Sequence, residues 1–416
     1  MKTIIIGGGA AGMASAVAAA KSGQEVLLLE QNEKLGKKVF ITGKGRCNVT
    51  NACDSDAFYA HVISNPKFLY SAYSAFDCRD LMKLIEENGT PLKTERGDRV
   101  FPVSDHSWDI IDAFKTALKK ANVTVRLHSA VSEILTNDTM DEESGKSLKS
   151  VSGVKLKSGE IIKADKVIVA TGGKSYPSTG STGDGYVFAK KLGHTVKDLK
   201  PALVPLETKE EWVPSLQGLS LKNTDLSLFV DGKKKYTERG EMLFTHFGIS
   251  GPMVLSASSI LAGCREYKEA YVLLDLKPAL SEEEFDKRLI RELAEGNRKE
   301  LKNILNNIYP SKFASLICEI AGVDEYKKCC EVNKEDRQKL LSFSKKLKIT
   351  ITKPRDFNEA IITHGGINVK EINPKTMESK LVKGLYFAGE VMDLDAFTGG
   401  FNLQIAFSTG TLAGRS

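Results

Sequence analysis

Apolar positions follow one pattern at the two ends of this chain and another in its middle. Thr3-Ile4-Ile5-Ile6 and Val26-Leu27-Leu28-Leu29 are continuous apolar runs, as in parallel strands buried on both faces. Between them Gly7 to Gly12 makes a turn, Met13 to Lys21 predicts a helix of small residues, and Gly23 ends it. This is a βαβ opening. Residues 36–51 form a long Gly-rich connection. Residues 66–88 and 107–121 have helical period, and Val123 to Leu127 and Gly153 to Leu156 read as strands. Lys166-Val167-Ile168-Val169-Ala170 is a further buried strand that runs into Thr171-Gly172-Gly173, and the polar residues 137–150 read as a loose hairpin tip.

Near Pro201 the pattern changes. Residues 202–276 alternate apolar with polar and carry the hairpin signal Asp231-Gly232, which predicts a β-rich domain. Residues 281–346 are charged and helical in period. Strand patterns resume near Ile349, Gly384-Leu385-Tyr386-Phe387-Ala388-Gly389-Glu390 returns to the buried style of the first domain, and a helix is expected from about Asn402. The fold expected is α/β: a discontinuous Rossmann-type domain (1–195 and 350–416), an inserted β-rich domain on the substrate side (196–280) and a small helical cap (281–349).

Composition changes this picture little. The 416 residues are 41% hydrophobic and 27% charged, which suits a globular chain of two or three domains. No apolar run reaches the roughly 20 residues of a membrane span, so no membrane partner is expected. Seven irregularly spaced cysteines without an export signal predict reduced thiols and a cytoplasmic location. The net charge of +6 comes in short clusters such as Lys233-Lys234-Lys235, with no basic stripe bearing aromatics, so a solvated surface is expected rather than a nucleic-acid partner. The spacing of Cys and His fits no metal site.

The chemistry begins with Gly7-Gly8-Gly9-Ala10-Ala11-Gly12, a G-x-G-x-x-G loop between a buried strand and a helix, with Glu30 at the end of the next strand. Gly7 permits the turn, Gly9 lets backbone approach a pyrophosphate, and Gly12 lets helix and strand pack closely. A carboxylate at Glu30 accepts from both ribose hydroxyls and repels a 2′-phosphate. The C-terminus turns this dinucleotide signature toward FAD. Gly389 and Glu390 suit a ribityl hydroxyl. Thr398-Gly399-Gly400-Phe401-Asn402-Leu403 leads into a helix whose N-terminus favours a nearby anion by about 0.3–1 kcal/mol, as suits reduced flavin. Thr171, Gly172 and Gly173 allow close backbone approach, and Ala130-Val131 is placed to meet adenine. The loop Lys37-Lys38-Val39-Phe40-Ile41-Thr42-Gly43-Lys44-Gly45-Arg46-Cys47-Asn48 is read as a cover over pyrophosphate and flavin, with Lys38, Gly43, Gly45, Cys47 and Asn48 on the cofactor and Lys44 and Arg46 near its ring. No second Gly-rich motif marks a nicotinamide domain, so NAD(P)H is expected only as a transient electron donor.

These motifs, with Arg99-Val100-Phe101-Pro102, Thr171-Gly172-Gly173-Lys174-Ser175-Tyr176-Pro177, Thr182-Gly183-Asp184-Gly185 and Leu243-Phe244-Thr245-His246-Phe247-Gly248-Ile249-Ser250-Gly251-Pro252, resemble the BaiN-like, or aminoacetone-oxidase-like, flavoprotein family over nearly the whole chain. The resemblance implies a discontinuous FAD domain, an inserted β-barrel-like domain and a helical domain. It also implies an oxidoreductase. Some members resemble reductases of conjugated C=C bonds in 3-oxo bile-acid intermediates, and others oxidise aminoacetone. Gly43-Lys44-Gly45 and the last helix, Phe401-Asn402-Leu403-Gln404, lean toward the reductase branch.

A reductase of that kind delivers hydride from flavin N5 to the β-carbon of an enone, and needs a donor for the developing enolate and an acid for the α-carbon. Arg46, Lys44 and His364 are the leading catalytic candidates, with Tyr176 and His246 behind them. An amine oxidase, and an FAD-binding RNA-modification or sensor protein, remain the competing readings. The five residues between Cys47 and Cys53 do not match the spacing of a redox disulfide.

Overall fold

The computed structural model describes residues 1–140 and 147–416, and of Lys44, Thr139, Met140, Ser147 and Leu148 the backbone alone. Apolar runs lie side by side as one parallel sheet, in the order Leu385–Phe387, Lys166–Val169, Lys2–Ile6, Glu25–Leu29, Thr124–Arg126. Ile5 pairs with Leu28 on one side and Ile168 on the other, and all three are fully buried. Continuous apolar sequence is what burial on both faces requires.

Helices Ala10–Lys21 and Phe401–Arg415 meet backbone to backbone. A Cβ on Gly410 would stand 2.4 Å from the Ala11 carbonyl oxygen, and one on Gly414 2.4 Å from that of Ser15. The C-terminal end of the second helix is closed by a lysine from the sheet: Lys166, 1% exposed, donates to the carbonyls of Ala413 at 2.7 Å and Gly414 at 3.3 Å. These last-turn carbonyls have no intrahelical donor, and a cation there also suits the helix dipole.

Around this core stand an antiparallel sheet, Val131–Met140 with Ser147–Leu156 and Ile161–Lys163, and a three-stranded one, Thr50–Asn51, Arg99–Pro102 and Leu92–Glu95. Of the hairpin tip expected at 137–150, residues 141–146 lie outside the described residues. The single helix read over 66–88 is broken into Tyr70–Ala75 and Cys78–Glu87. Asp77 starts the second piece, its carboxylate accepting from the N–H groups of Arg79 and Asp80 in a capping box.

Contacts divide the chain into Met1–Ala202 with Phe357–Ser416, and Leu203–Asp356. The second unit holds a closed barrel in the order Leu206–Thr208, Gly248–Ser250, Lys233–Phe244, Ser220–Val230, Ala270–Asp275, Leu347–Pro354. Leu347–Pro354 straddles the expected boundary at 349/350. It belongs to the barrel because it pairs with strands on both sides and closes the ring. Helix Pro252–Gly263 lies within the stretch read as β-rich; Met253, Val254, Ala257 and Leu261 bury on its core side. The helices Glu282–Glu295, Ser311–Ala321 and Lys334–Lys345 share that core, with the ring of Phe313 6.1 Å from Phe244, rather than forming a separate cap.

Desolvation pulls the Lys166 ammonium from its ordinary 10.5 down to about 8. Between those values the unfolded chain binds more protons than the folded one, so the stability of the fold rises with pH across the window. Urea unfolding of the native chain and of Lys166→Met tests this. From about pH 7 to about pH 10 the native chain should gain stability relative to the variant, by on the order of 2 kcal/mol; a constant difference contradicts it.

Candidate functional site

The carboxyl ends of the parallel strands open on a cleft with about 1330 Å³ of free space, its mouth included. This is where open α/β sheets bind ligands. The glycine loop forms one wall. Gly7 has φ +105°, donates to the Leu29 carbonyl at 2.8 Å, and has no room for a side chain: a Cβ would stand 2.6 Å from the Ala170 oxygen. At Gly12 a Cβ would come within 1.8 Å of the Gly7 oxygen, so Gly12 serves packing and does not line the cleft. A Cβ on Gly9 would meet nothing within 4 Å. Gly9 begins helix Ala10–Lys21 without a side-chain cap, which leaves the first-turn N–H groups for an anion. Gly7, Gly9 and Ala11 all line the cleft.

Glu30 is 7% exposed. Its Oε2 accepts from the Gly8 N–H at 2.6 Å, and its Oε1 from the backbone and side-chain N–H groups of Asn32 at 2.8 and 2.7 Å. A carboxylate offers about four lone-pair sites, so Oε2 keeps one free. The expectation of two ribose hydroxyls on Glu30 narrows to one, because the loop takes the rest. Asn32, which the sequence reading passed over, also reaches the Thr179 carbonyl at 3.1 Å and ties Glu30 to the turn 179–182.

A second carboxylate is held in the same way. Lys38 Nζ lies 2.7 Å from Glu390 Oε2 and 2.7 Å from Ser175 Oγ. Glu390 Oε1 accepts from Ser175 Oγ at 2.9 Å and from the Thr363 N–H at 2.8 Å. One site on Oε2 again remains. Ser175 and Thr363 left no periodic signal in the sequence; Ser175 is marked only by its place two residues after Gly173, and nothing in the sequence marks Thr363. A Cβ on Gly173 would fall 2.4 Å from Thr363 Oγ1 and 2.7 Å from Glu390 Oε1, which is why glycine stands there.

Helix Phe401–Arg415 brings a second uncapped N-terminus. Asn402 and Leu403 line the cleft, as do Lys38, Val131, Thr171, Gly172 and Glu390. Thr171 Oγ1 is buried beside Gly185, without a partner among the described residues. Gly400, φ +96°, sits against Thr50, whose carbonyl carbon and oxygen would lie 2.4 Å from a Cβ; Gly389 packs on Ala11. Phe401 stacks on His61, ring centres 4.3 Å apart.

The cover loop is placed differently from its expected role. Among the described residues of 42–48, only Thr42 lines the cleft. Arg46 is not free for a phosphate or an enolate: its guanidinium binds Glu95 at 2.5 Å and Asp105 at 2.6 Å and lies over the Phe101 ring. Two carboxylates outcompete a distant ligand. Gly43 and Gly45 make a tight turn with positive φ. Cys47 is fully buried, its thiol pushed up to about 12 by desolvation, and Cys53 is pushed to about 11; all seven cysteines are free. Asn48 keeps a buried Oδ1 without a partner among the described residues. The side chain of Lys44 lies outside the described residues. Tyr176, φ +51°, shapes the turn before Pro177. His246, in the barrel unit, packs edge-on against Phe247. His364 ends strand Ile362–His364, with Nδ1 3.2 Å from Asp395 Oδ2.

The sequence matches the HI0933-like protein Rossmann domain over residues 1–416. The chain belongs to the HI0933-like family. It is 31% identical over 417 residues to a 3-dehydro-bile acid delta(4,6)-reductase of Clostridium scindens, covering 99% of this chain and 98% of the relative. It is 30% identical over 407 residues to a ribosomal RNA dihydrouridine synthase of Escherichia coli, covering 98% and 95%. Among solved structures, a 3-ketosteroid delta1-dehydrogenase from Sterolibacterium denitrificans superposes with TM-score 0.50 at 12% identity, over 99% of this chain and 98% of that one, a likeness of fold. This family member therefore has the Rossmann-type FAD-binding fold expected, with a six-stranded barrel and helices inserted in it.

The two glycines make opposite predictions. Gly12→Ala should destabilise the ligand-free protein by about 1–3 kcal/mol through overpacking on a carbonyl, whereas Gly9→Ala should leave its thermal midpoint nearly unchanged. Equal midpoints for the two variants contradict this.

Proposed function

We propose that this protein is an FAD-dependent reductase of a C=C bond conjugated to a carbonyl group. The observation that carries the cofactor is that two helix N-termini without side-chain caps, at Ala10 and Phe401, open on one cleft beside two carboxylates that each keep a free acceptor site. The N–H groups at Gly9 to Ala11 suit a pyrophosphate, Glu30 a ribose hydroxyl, and Glu390 a ribityl hydroxyl. The negative charge at Glu30 disfavours a 2′-phosphate in that position. The N-terminus at Asn402 and Leu403 favours the anionic charge of a reduced flavin. FAD, when bound, supplies hydride for the double bond. Lys38 pairs with Glu390 at 2.7 Å and so holds that carboxylate in place beside the cleft.

The substrate class rests on the relatives. A 3-oxo-Δ4,6 bile acid is a conjugated dienone, and the bond reduced when uridine becomes dihydrouridine is likewise conjugated to a carbonyl. One reaction, hydride to the β-carbon and proton to the α-carbon, covers both. A steroid-like enone is the leading substrate, supported by the Gly43-Lys44-Gly45 loop and the bile-acid reductase relative. Uridine in RNA is the second reading, supported by the dihydrouridine synthase relatives. NAD(P)H is the proposed source of electrons.

The purified protein should be yellow and release FAD on denaturation. After anaerobic reduction, a 3-oxo-Δ4,6 steroid should restore the flavin absorbance and lose its own conjugated absorbance. Restoration by unmodified ribosomal RNA alone would establish the second reading. Aminoacetone turnover with peroxide release would overturn both in favour of an oxidase. Glu30→Ala should weaken FAD retention roughly 10- to 150-fold, the worth of a hydrogen bond to a charged group of about 1.5–3 kcal/mol; unchanged retention would show that the adenosine end is held otherwise.

A further inference from the structure

Reduction of a conjugated C=C bond adds a hydride at one carbon and a proton at its neighbour, so the site needs a proton donor as well as a hydride source. Lys38 is committed to Glu390 and Ser175, and Glu30 is an acceptor. A histidine held by a buried carboxylate stands beside the lining residues, although neither is itself one of them. Ile361 and Ile362 line the cleft, and the two-residue period of strand Ile362–His364 puts His364 on the face of Ile362. Leu394 lines it too, and the next residue is Asp395, 1% exposed.

Asp395 is an unusual carboxylate. Its Oδ2 lies 3.2 Å from His364 Nδ1, and its buried Oδ1 has no partner among the described residues. Two residues earlier, Asp393 is neutralised by Lys197 at 2.6 Å and held by Asn65 at 2.9 Å. Asp395 has no such cation; among the described residues only His364 donates to its side chain. The backbone around it is fixed. The Asp395 carbonyl accepts the Ile63 N–H at 2.8 Å, and the cleft residue Asn402 clamps Ala396 at both its N–H (2.9 Å) and its carbonyl (2.7 Å). A buried, half-satisfied carboxylate is costly to keep, and the contact with His364 offsets part of that cost. His364 Nε2 has no partner among the described residues, and the side chain is 18% exposed, within reach of water.

Resting on the reductase reading above, we propose that His364 is the acid that protonates the α-carbon and that Asp395 is its positioning residue. An ionised carboxylate only accepts, so Asp395 holds one proton on Nδ1; the proton given away is then the second one, on Nε2 of the doubly protonated ring. The substrate gains hydride at the β-carbon from the reduced flavin, itself recharged by a nicotinamide-type donor. It gains a proton at the α-carbon from Nε2, and the C=C π bond is lost. His364 then takes a proton from water.

His364→Asn and Asp395→Asn test this in the flavin-loaded protein. Both variants should keep the wild-type flavin spectrum, and after anaerobic reduction both should be reoxidised by ferricyanide, which needs no proton at carbon, at the wild-type rate. Reoxidation by the enone should fall about 100-fold or more in His364→Asn, the usual worth of a general acid, and at least about tenfold in Asp395→Asn. Independently of activity, nitrogen NMR of protein labelled in its six histidines should show one ring, absent in His364→Asn, with Nδ1 protonated, and that ring should change in Asp395→Asn. A wild type that the enone does not reoxidise sinks the reductase reading itself. If the enone reoxidises wild type and both variants equally, or if ferricyanide reoxidation or flavin binding falls in step, or if the His364 Nδ1 carries no proton, the assigned roles are wrong and the reductase reading stands.

Discussion

The site depends on how closely two helices from opposite ends of the chain can approach. Ala10–Lys21 and Phe401–Arg415 touch through backbone, and Gly410 and Gly414 have no Cβ that would collide with the carbonyls of Ala11 and Ser15. Gly389 fits against Ala11 for the same reason. Because the contact is made without side chains, it fixes the two helices side by side, and their uncapped N-termini line one cleft. A methyl at any of these positions would separate them. The parallel sheet beneath adds the strand ends, and Lys166 secures the far end of the second helix.

Within that frame, charge is arranged with little left over. Glu30 and Glu390 each spend about three of four acceptor sites on the protein: the first on the glycine loop and Asn32, the second on Lys38, Ser175 and Thr363. Each carboxylate is therefore rigid before any ligand arrives, which reduces the ordering cost of binding. Arg46, by contrast, spends its charge on Glu95 and Asp105 away from the cleft. Among the described residues a buried carboxylate oxygen on Asp395, beside the lining residue Leu394, is left unsatisfied, and it is the histidine held by that carboxylate to which the proton transfer is assigned.

Some features were legible in the sequence because their signals are local. Thr3 to Ile6 and Val26 to Leu29 read as buried strands from their apolar continuity, and Gly7 to Gly12 with Glu30 reads as a phosphate loop because turn, helix start and acidic strand end fall within thirty residues. The resemblance to a flavoprotein family was equally readable. Others were invisible for a physical reason. Lys38, Ser175, Thr363 and Glu390 meet from four distant segments, so no window of sequence holds the network. The pairing of Leu347–Pro354 into the barrel depends on ring closure, which no periodicity reports. Arg46 looked like a ligand-binding cation because sequence shows a charge but not its partners.

What the sequence alone determined, then, is the backbone grammar: which runs must be buried strands, where glycine is needed at a turn, and that the first and last segments share one domain. Only the tertiary structure decided which polar groups remain available. Availability is a remainder, set after each donor and acceptor has met its neighbours, and the fold chooses those neighbours, from Asn32 two residues beyond Glu30 to Glu390, 352 residues beyond Lys38. Glu30 keeps one acceptor site rather than two, Arg46 keeps none of its charge for the cleft, and His364 gains a buried aspartate that nothing beside it in the chain foretold.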